Sequence, residues 1–256
     1  MSEPDKRPAP RPRKHAVLWQ AYLTWSEEVE RRKRHTLRIS AIEAKKSNLD
    51  LQFEIDALEK LGCDAHIEYY KGIMIDNGAA TGHLWDWITA IKGLGAGSLA
   101  AQLIALIDDI ERAPTISALW RYAGYAVIDG KAEKNRRGER SHFNGRLKSV
   151  CWLISDQFIR HQTDFYRDIY DEYKYEQRQK HPEVVIKEKE VKQSDGTIKI
   201  TKTKHFTDGH LHARARRYMM KMFLSHLWVT WRKHEGLPIS DPYVKAILGH
   251  SQIIEP

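Results

Sequence analysis

Between Lys92 and Ser98 the chain reads Lys-Gly-Leu-Gly-Ala-Gly-Ser, three glycines spaced two apart with apolar residues at helical intervals on both sides. Glycine lets backbone N–H groups approach an anion with no Cβ in the way. The first N–H groups of the helix that follows lack intrahelical acceptors and carry the positive end of its dipole. A helix, a Gly-Leu-Gly-Ala-Gly turn and a second helix read as a helix-hairpin-helix, and the chemistry this suits is gripping phosphate. The ligand expected at Lys92, Gly93, Leu94, Gly95, Ala96, Gly97 and Ser98 is a DNA backbone, held without base reading. Glycine-rich turns also join apolar helices in proteins with no such ligand, so the surrounding charge has to decide.

That charge is positive. Lys and Arg number 42 against 34 Asp and Glu, a formal +8, which favours a polyanionic partner. The segment 131–148 holds seven Lys or Arg against two Glu, a net +5 close after the hairpin. Its Lys131, Lys134, Arg136, Arg137, Arg140, Arg146 and Lys148 are candidate phosphate contacts, as are Arg214, Arg216, Arg217 and Lys221 near the C-terminal end. No stretch approaches the roughly 20 apolar residues of a membrane span, and the polar, Pro-rich start lacks a signal-peptide core. Cys63 and Cys151 stand far apart in no metal-ligand spacing and fit a reducing compartment. A cytoplasmic, nucleoid-associated setting is expected, with no membrane partner and no cofactor.

The elements that must position these residues are mostly helical. Residues 1–14 hold four prolines among basic residues and read as a disordered basic arm. From His15 to Leu61 there is neither proline nor glycine, which predicts long helix within a helical or coiled-coil region spanning 15–75. In it Leu37, Ala41, Ala44, Asn48, Leu51, Ile55 and Leu58 alternate by four and three, the spacing of a coiled-coil seam with Asn48 at an a position. The seam fits either a homodimer or a helical hairpin within one chain. Asp76-Asn77-Gly78 breaks the pattern, and residues 76–256 form the helix-hairpin-helix domain. There Leu99, Leu103, Leu106, Ile107 and Ile110 share a helix face that Pro114 must close, and a helix follows from about Asn144 to Tyr175. Alternation through 183–204 with Ser194-Asp195-Gly196 predicts an inserted two-stranded β-ribbon, which should dock on something. The fold class is mainly α.

The order of these features, the Gly-Leu-Gly hairpin, Trp120-Arg121-Tyr122-Ala123-Gly124-Tyr125, the basic loop through Arg136-Arg137-Gly138, Phe143-Asn144-Gly145-Arg146-Leu147-Lys148 and a closing Arg-rich helix, resembles the C-terminal transposase domain of the "IS one-ten" insertion-sequence recombinases. The likeness covers about residues 85–178 and 205–237, with the β-ribbon as an insertion. It implies DNA recombination, a guide RNA as a further partner, and a coiled coil where His15 to Leu61 lies. The chain departs from the pattern in two respects. Those recombinases carry an N-terminal RNase-H-like domain with four metal-binding carboxylates, whereas here the chain opens on the helical region. They also use a serine nucleophile shortly after the Tyr-x-Gly segment, where this chain has Asp129-Gly130 and no serine before Ser141. With neither tetrad nor nucleophile the strand-exchange chemistry lacks its requirements. The expectation is a non-catalytic DNA-binding protein of mobile-element origin. The alternative is an active recombinase subunit working with a separate nuclease domain or guide RNA, with Ser141 or Asp129 at the composite site.

Other constellations have plainer readings. His205, His210 and His212 around Asp208 fit a loop-to-helix junction better than a metal site. Asp108, Asp109 and Glu111 read as solvated carboxylates at a helix end. Of the eight tryptophans, Trp152, Trp228 and Trp231 lie on helices with basic residues, where base stacking competes with core packing.

Overall fold

The computed structural model describes residues 12–45, 50–95, 97–128, 130–132, 141–192 and 198–239. The chain is mainly helical and divides into two compact units, Met1–Ala90 with Leu94–Ala113, and Pro114–Pro256 with Ile91–Gly93.

In the first unit, α1 (Ala16–Lys45) and α2 (Asp50–Ala79) form an antiparallel hairpin. The cross-links run in opposite senses along the two helices: Arg32 Nη1 lies 3.1 Å from Asp64, and His35 Nδ1 lies 2.7 Å from Asp56. Asp56 is 1% exposed, and hydrogen bonds from His35 and Gln52 hold its carboxyl below the usual range. Between the two expected arrangements of the heptad residues, the helices do pair within the chain, yet through the opposite stripe. His35, Asp56, Cys63, Ile67 and Met74 are buried, while Leu37, Leu51, Ile55 and Leu58 face outward. Asn48 lies outside the described residues.

The proline- and glycine-free span is thus two helices rather than one. The expected break at Asp76-Asn77-Gly78 does not occur either, since α2 runs on to Ala79. Asn77 donates its side-chain amide to the Ile73 carbonyl, and the absence of a Cβ at Gly78 admits the Trp85 ring, which would stand 2.4 Å from it. Helices α3 (His83–Ala90) and α4 (Ser98–Ile107) follow. From Ala100 to Ile107 every residue of α4 is buried, as befits a helix apolar on all sides. The helix ends at Ile107, ahead of Pro114. Asp108 is not solvated but 1% exposed, with φ +65°. Its Oδ1 accepts the His15 N–H at 3.0 Å, and Arg13 and Arg112 stand 3.8 and 3.6 Å from Oδ2. Asp109 accepts the Glu111 N–H and opens a short 3-10 turn, Ile110–Arg112. Arg13 also lies over the Trp19 ring at 3.6 Å. The end of the expected basic arm is therefore fixed from Pro12 onward, and residues 1–11 lie outside the described residues.

The second unit is built around α8 (Asp208–His234), which packs on α5 (Ile116–Tyr122), α6 (Gly145–Arg160) and α7 (Tyr166–Lys180). Thr115, Asn144 and Thr207 cap α5, α6 and α8, each side chain accepting a backbone N–H three residues on. Leu147, Cys151, Ile154 and Phe158 of α6 meet Met219, Phe223, Leu227 and Trp228 of α8 in a core of essentially unexposed side chains. Strands β1 (Val127–Ile128) and β2 (Lys131–Ala132) make a short antiparallel pair. The single helix expected from 144 to 175 is broken at 161–165, where Gln162 and Phe165 take φ of +48° and +66°. The ribbon forms, β3 (Val185–Lys192) pairing with β4 (Ile198–His205) from Val185↔His205 to Lys192↔Ile198. Its foot is held by Phe206 stacked 3.7 Å from the His181 ring and by Arg178, which binds the Phe206 carbonyl and Asp208. The docking expected of it does not cover Val184, Val185, Ile186 or Ile200, all of which are exposed.

Candidate nucleic-acid interface

The three hairpin glycines all take positive φ, +93°, +45° and +100° at Gly93, Gly95 and Gly97, but they serve different ends. A Cβ on Gly97 would meet Ile75 and Trp85 at 3.0 Å, so this glycine closes the packing of the first unit. A Cβ on Gly93 would meet the His161 ring at 3.2 Å. Only Gly95 of these three is exposed, with open space where a side chain would stand. Leu94 is 5% exposed and serves as a core anchor, not as a ligand-facing side chain.

Gly97 donates its N–H to the Gly95 carbonyl at 2.6 Å and precedes α4 as an N-cap without a side-chain hydrogen bond. The Lys92 side chain is exposed, while its carbonyl accepts the Thr163 hydroxyl at 2.7 Å. Ser98 is half-buried in the first turn of α4. Ala96 lies outside the described residues. The local arrangement is a turn with a bare tip ahead of a helix whose remainder is immobilised in a core.

The basic residues divide sharply. Asp129, Lys134, Arg136, Arg137 and Arg140 lie outside the described residues, and Lys131 is placed only by its backbone in β2. Arg146 is exposed on the first turn of α6. Lys148 lays its ammonium 4.2 Å from the Phe143 ring centroid. On α8 the cations turn inward far more than a phosphate-contacting face requires. Arg216 is 8% exposed and donates Nε and Nη2 to Ser155 Oγ at 2.9 and 2.7 Å, and Nη2 to the Trp152 carbonyl at 2.7 Å. Burial lowers the pKa of Arg216, Arg217 and Lys221 alike. Lys221 sits 4.4 Å over the Trp120 ring, and Arg214 is half-buried near Phe206. Arg216 is thus a structural cation rather than the phosphate contact expected, because its donors are already turned onto α6.

The histidine group is the junction expected of it. His210 Nδ1 accepts the Phe206 N–H, His212 Nδ1 pairs with the Tyr170 hydroxyl at 2.7 Å, and Asp208 pairs with Arg178. Among the described residues no group of three or more His, Cys, Asp or Glu could hold a metal ion. Ser141 is exposed, but its hydroxyl donates to the Phe143 carbonyl at 2.9 Å and accepts the Phe143 N–H, closing a turn ahead of α6. Cys63 and Cys151 are free and buried, and burial pushes the Cys151 thiol up to about 12. Among the described residues no helix is long and apolar enough to cross a membrane.

Sequence reasoning named Trp152 and Lys148 separately without joining them into one surface. Phe143, Gly145, Lys148, Ser149, Trp152 and Leu153 line a cleft of about 410 Å³ on α6. Trp228 and Trp231 are 0% and 1% exposed, whereas Trp152 is 54% exposed. The signal was available: Leu147, Cys151, Ile154 and Phe158 make the inward stripe of α6, and Trp152 stands off it.

No family model, curated protein or solved structure matches the chain.

Proposed function

We propose that this chain binds nucleic acid by its phosphate backbone without acting chemically on it, and that it does so on DNA as a homodimer. The observation that carries the reading is the exposed Gly95 tip, open where a side chain would stand, ahead of an α4 that lacks a side-chain cap. A phosphate at that tip would meet the positive end of the α4 dipole. The net charge of +8 favours the same partner. The proposed descent from a mobile-element transposase rests on the order of motifs between Gly93 and Lys221.

The test is a competition among duplex DNA, single-stranded DNA and folded RNA at fixed salt, followed by a salt titration of the best ligand. Duplex DNA should bind with log affinity falling linearly in log salt. Replacing Arg136 and Arg137 together by alanine should reduce that slope by about 1–2. Absence of binding to all three at about 50 mM salt, or affinity indifferent to salt, would remove the reading. Preferential binding of folded RNA would reassign the partner, since charge does not distinguish the two duplexes.

A further inference from the structure

The cleft on α6 has the composition of a stacking site. Its lining consists of two aromatic rings, one aliphatic side chain, one small hydroxyl, a glycine and one cation, with no carboxylate among them. The acid nearest along the helix, Asp156, is already paired with Arg160 at 2.7 Å. A tryptophan left half in water forgoes the large favourable burial its neighbours on α8 obtain, so its orientation has to be imposed by something else.

Arg216 imposes it. Its guanidinium carbon lies 4.3 Å from the Trp152 ring centroid, while the same side chain holds the Trp152 carbonyl and Ser155 from α8. The cation is therefore fixed behind an indole that borders open cleft. Stacking onto a ring held in this way sacrifices little rotamer freedom, which is what makes a preorganised aromatic an effective platform.

The rest of the cleft supplies the other half of a nucleotide's chemistry. Lys148 sits at the floor beside Phe143, and Gly145 opens α6 at the end where its dipole is positive, with Arg146 exposed next to it. At about 410 Å³ the cleft falls within the roughly 300–1,000 Å³ of small-ligand sites, ample for a base. We infer that this cleft takes an unpaired nucleobase stacked on Trp152, with its phosphate beside Lys148 and Arg146, so that unit two reads single-stranded character in nucleic acid. The inference rests on the nucleic-acid reading above but uses a surface separate from the hairpin. It gives Arg216 a positioning role in place of a phosphate contact.

The experiment compares a single-stranded oligonucleotide of about 15 nucleotides with a blunt duplex, by fluorescence anisotropy on the full chain. Trp152→Ala should weaken single-strand binding by roughly 10–100-fold, the effect of losing one stacked base, and leave duplex affinity within about twofold. Trp152→Phe should keep most of the single-strand affinity. Ser149→Glu, which places a carboxylate in the cleft without disturbing the core, should reproduce the Trp152→Ala loss. An oligonucleotide carrying iodouracil should crosslink at Trp152. Single-strand affinity unchanged in Trp152→Ala, as a cleft serving a protein partner would give, overturns the inference while leaving duplex binding and the hairpin reading intact. Equal loss on both ligands also overturns it. A parent chain that binds neither ligand removes both readings.

Discussion

Replacing Leu51 and Ile55 by lysine should separate the proposed dimer into folded monomers. The outward stripe of α2 runs Leu51, Ile55, Leu58, Gly62, Ala65 and Tyr69, alternating by four and three throughout, and all six are exposed. That is the spacing a second helix needs to seat knobs along a seam. Full burial of a Leu or Ile side chain contributes about 1.5–3 kcal/mol. Leu51 is 70% exposed and Ile55 45%, so covering them would contribute about 1.7–3.4 kcal/mol per copy and about 3.5–7 kcal/mol in a two-fold interface. The double variant should therefore raise the dimer dissociation constant at least roughly 300-fold. Monomer stability should change little, because neither side chain is buried within the chain. Sedimentation equilibrium reads the mass, urea unfolding reads the fold, and DNA binding should weaken by about 10²–10⁴ as two linked grips become one. A parent chain that is monomeric at micromolar concentration would refute the dimer and the avidity built on it.

The hairpin glycines should separate by their roles. Gly97→Ala, forced to φ +100° against Ile75 and Trp85, should lose about 1–3 kcal/mol in urea unfolding. Gly95→Asp, at an exposed left-handed position that Asp tolerates, should fold normally yet lose at least about tenfold in duplex affinity through repulsion at the tip. His226 Nδ1 pairs with the Tyr166 hydroxyl at 3.0 Å, and burial lowers its pKa to about 4. Its neutral form is the folded form, so stability present above about pH 6.5 should decline as the pH falls toward 4, by up to about 3 kcal/mol. His226→Gln should flatten that decline in urea midpoints measured across the window. Finally, the purified chain should neither nick supercoiled DNA nor form a covalent adduct in magnesium or manganese. An adduct abolished by Ser141→Ala would restore the recombinase alternative.

Local signals placed much of the fold. The hairpin glycines mark a turn because their φ values demand glycine, the apolar run after Ser98 marks the buried α4, and alternation at 184–191 marks β3 with both faces assigned. What periodicity left open was which stripe of α1 and α2 meets its neighbour. Leu37, Leu51 and Ile55 lie on an apolar stripe, but the one that packs combines Leu18, Tyr22, Cys63, Ile67 and Met74 with the buried His35–Asp56 pair, which period alone did not select. The break at 161–165 contains neither proline nor glycine; Phe165, at positive φ, sets its ring against Tyr166 and His226, while Gln162, also at positive φ, is exposed. At the interface, charge count overstated α8: Arg216 is a cation by sequence and a buried support by position, and Lys221 is half-buried over the Trp120 ring. Trp152 shows the converse, a residue for which stacking and packing were both open by sequence and which its offset from the α6 stripe leaves 54% exposed.

Asp108 has a bearing on where the folded chain effectively begins. Three groups around its carboxylate, the Arg13 and Arg112 guanidiniums and the His15 N–H, come from both ends of the first unit, and two of the three lie within six residues before Trp19. Trimming through Ala16 would strip this buried carboxylate of two of its three partners and open the start of α1. Cleavage or insertion between Arg13 and Ala16 should accordingly release the start of α1. The arm's tether is a charge lock that α4 presents at its far end, which makes the register of the chain's first helix a property of residues nearly a hundred positions away.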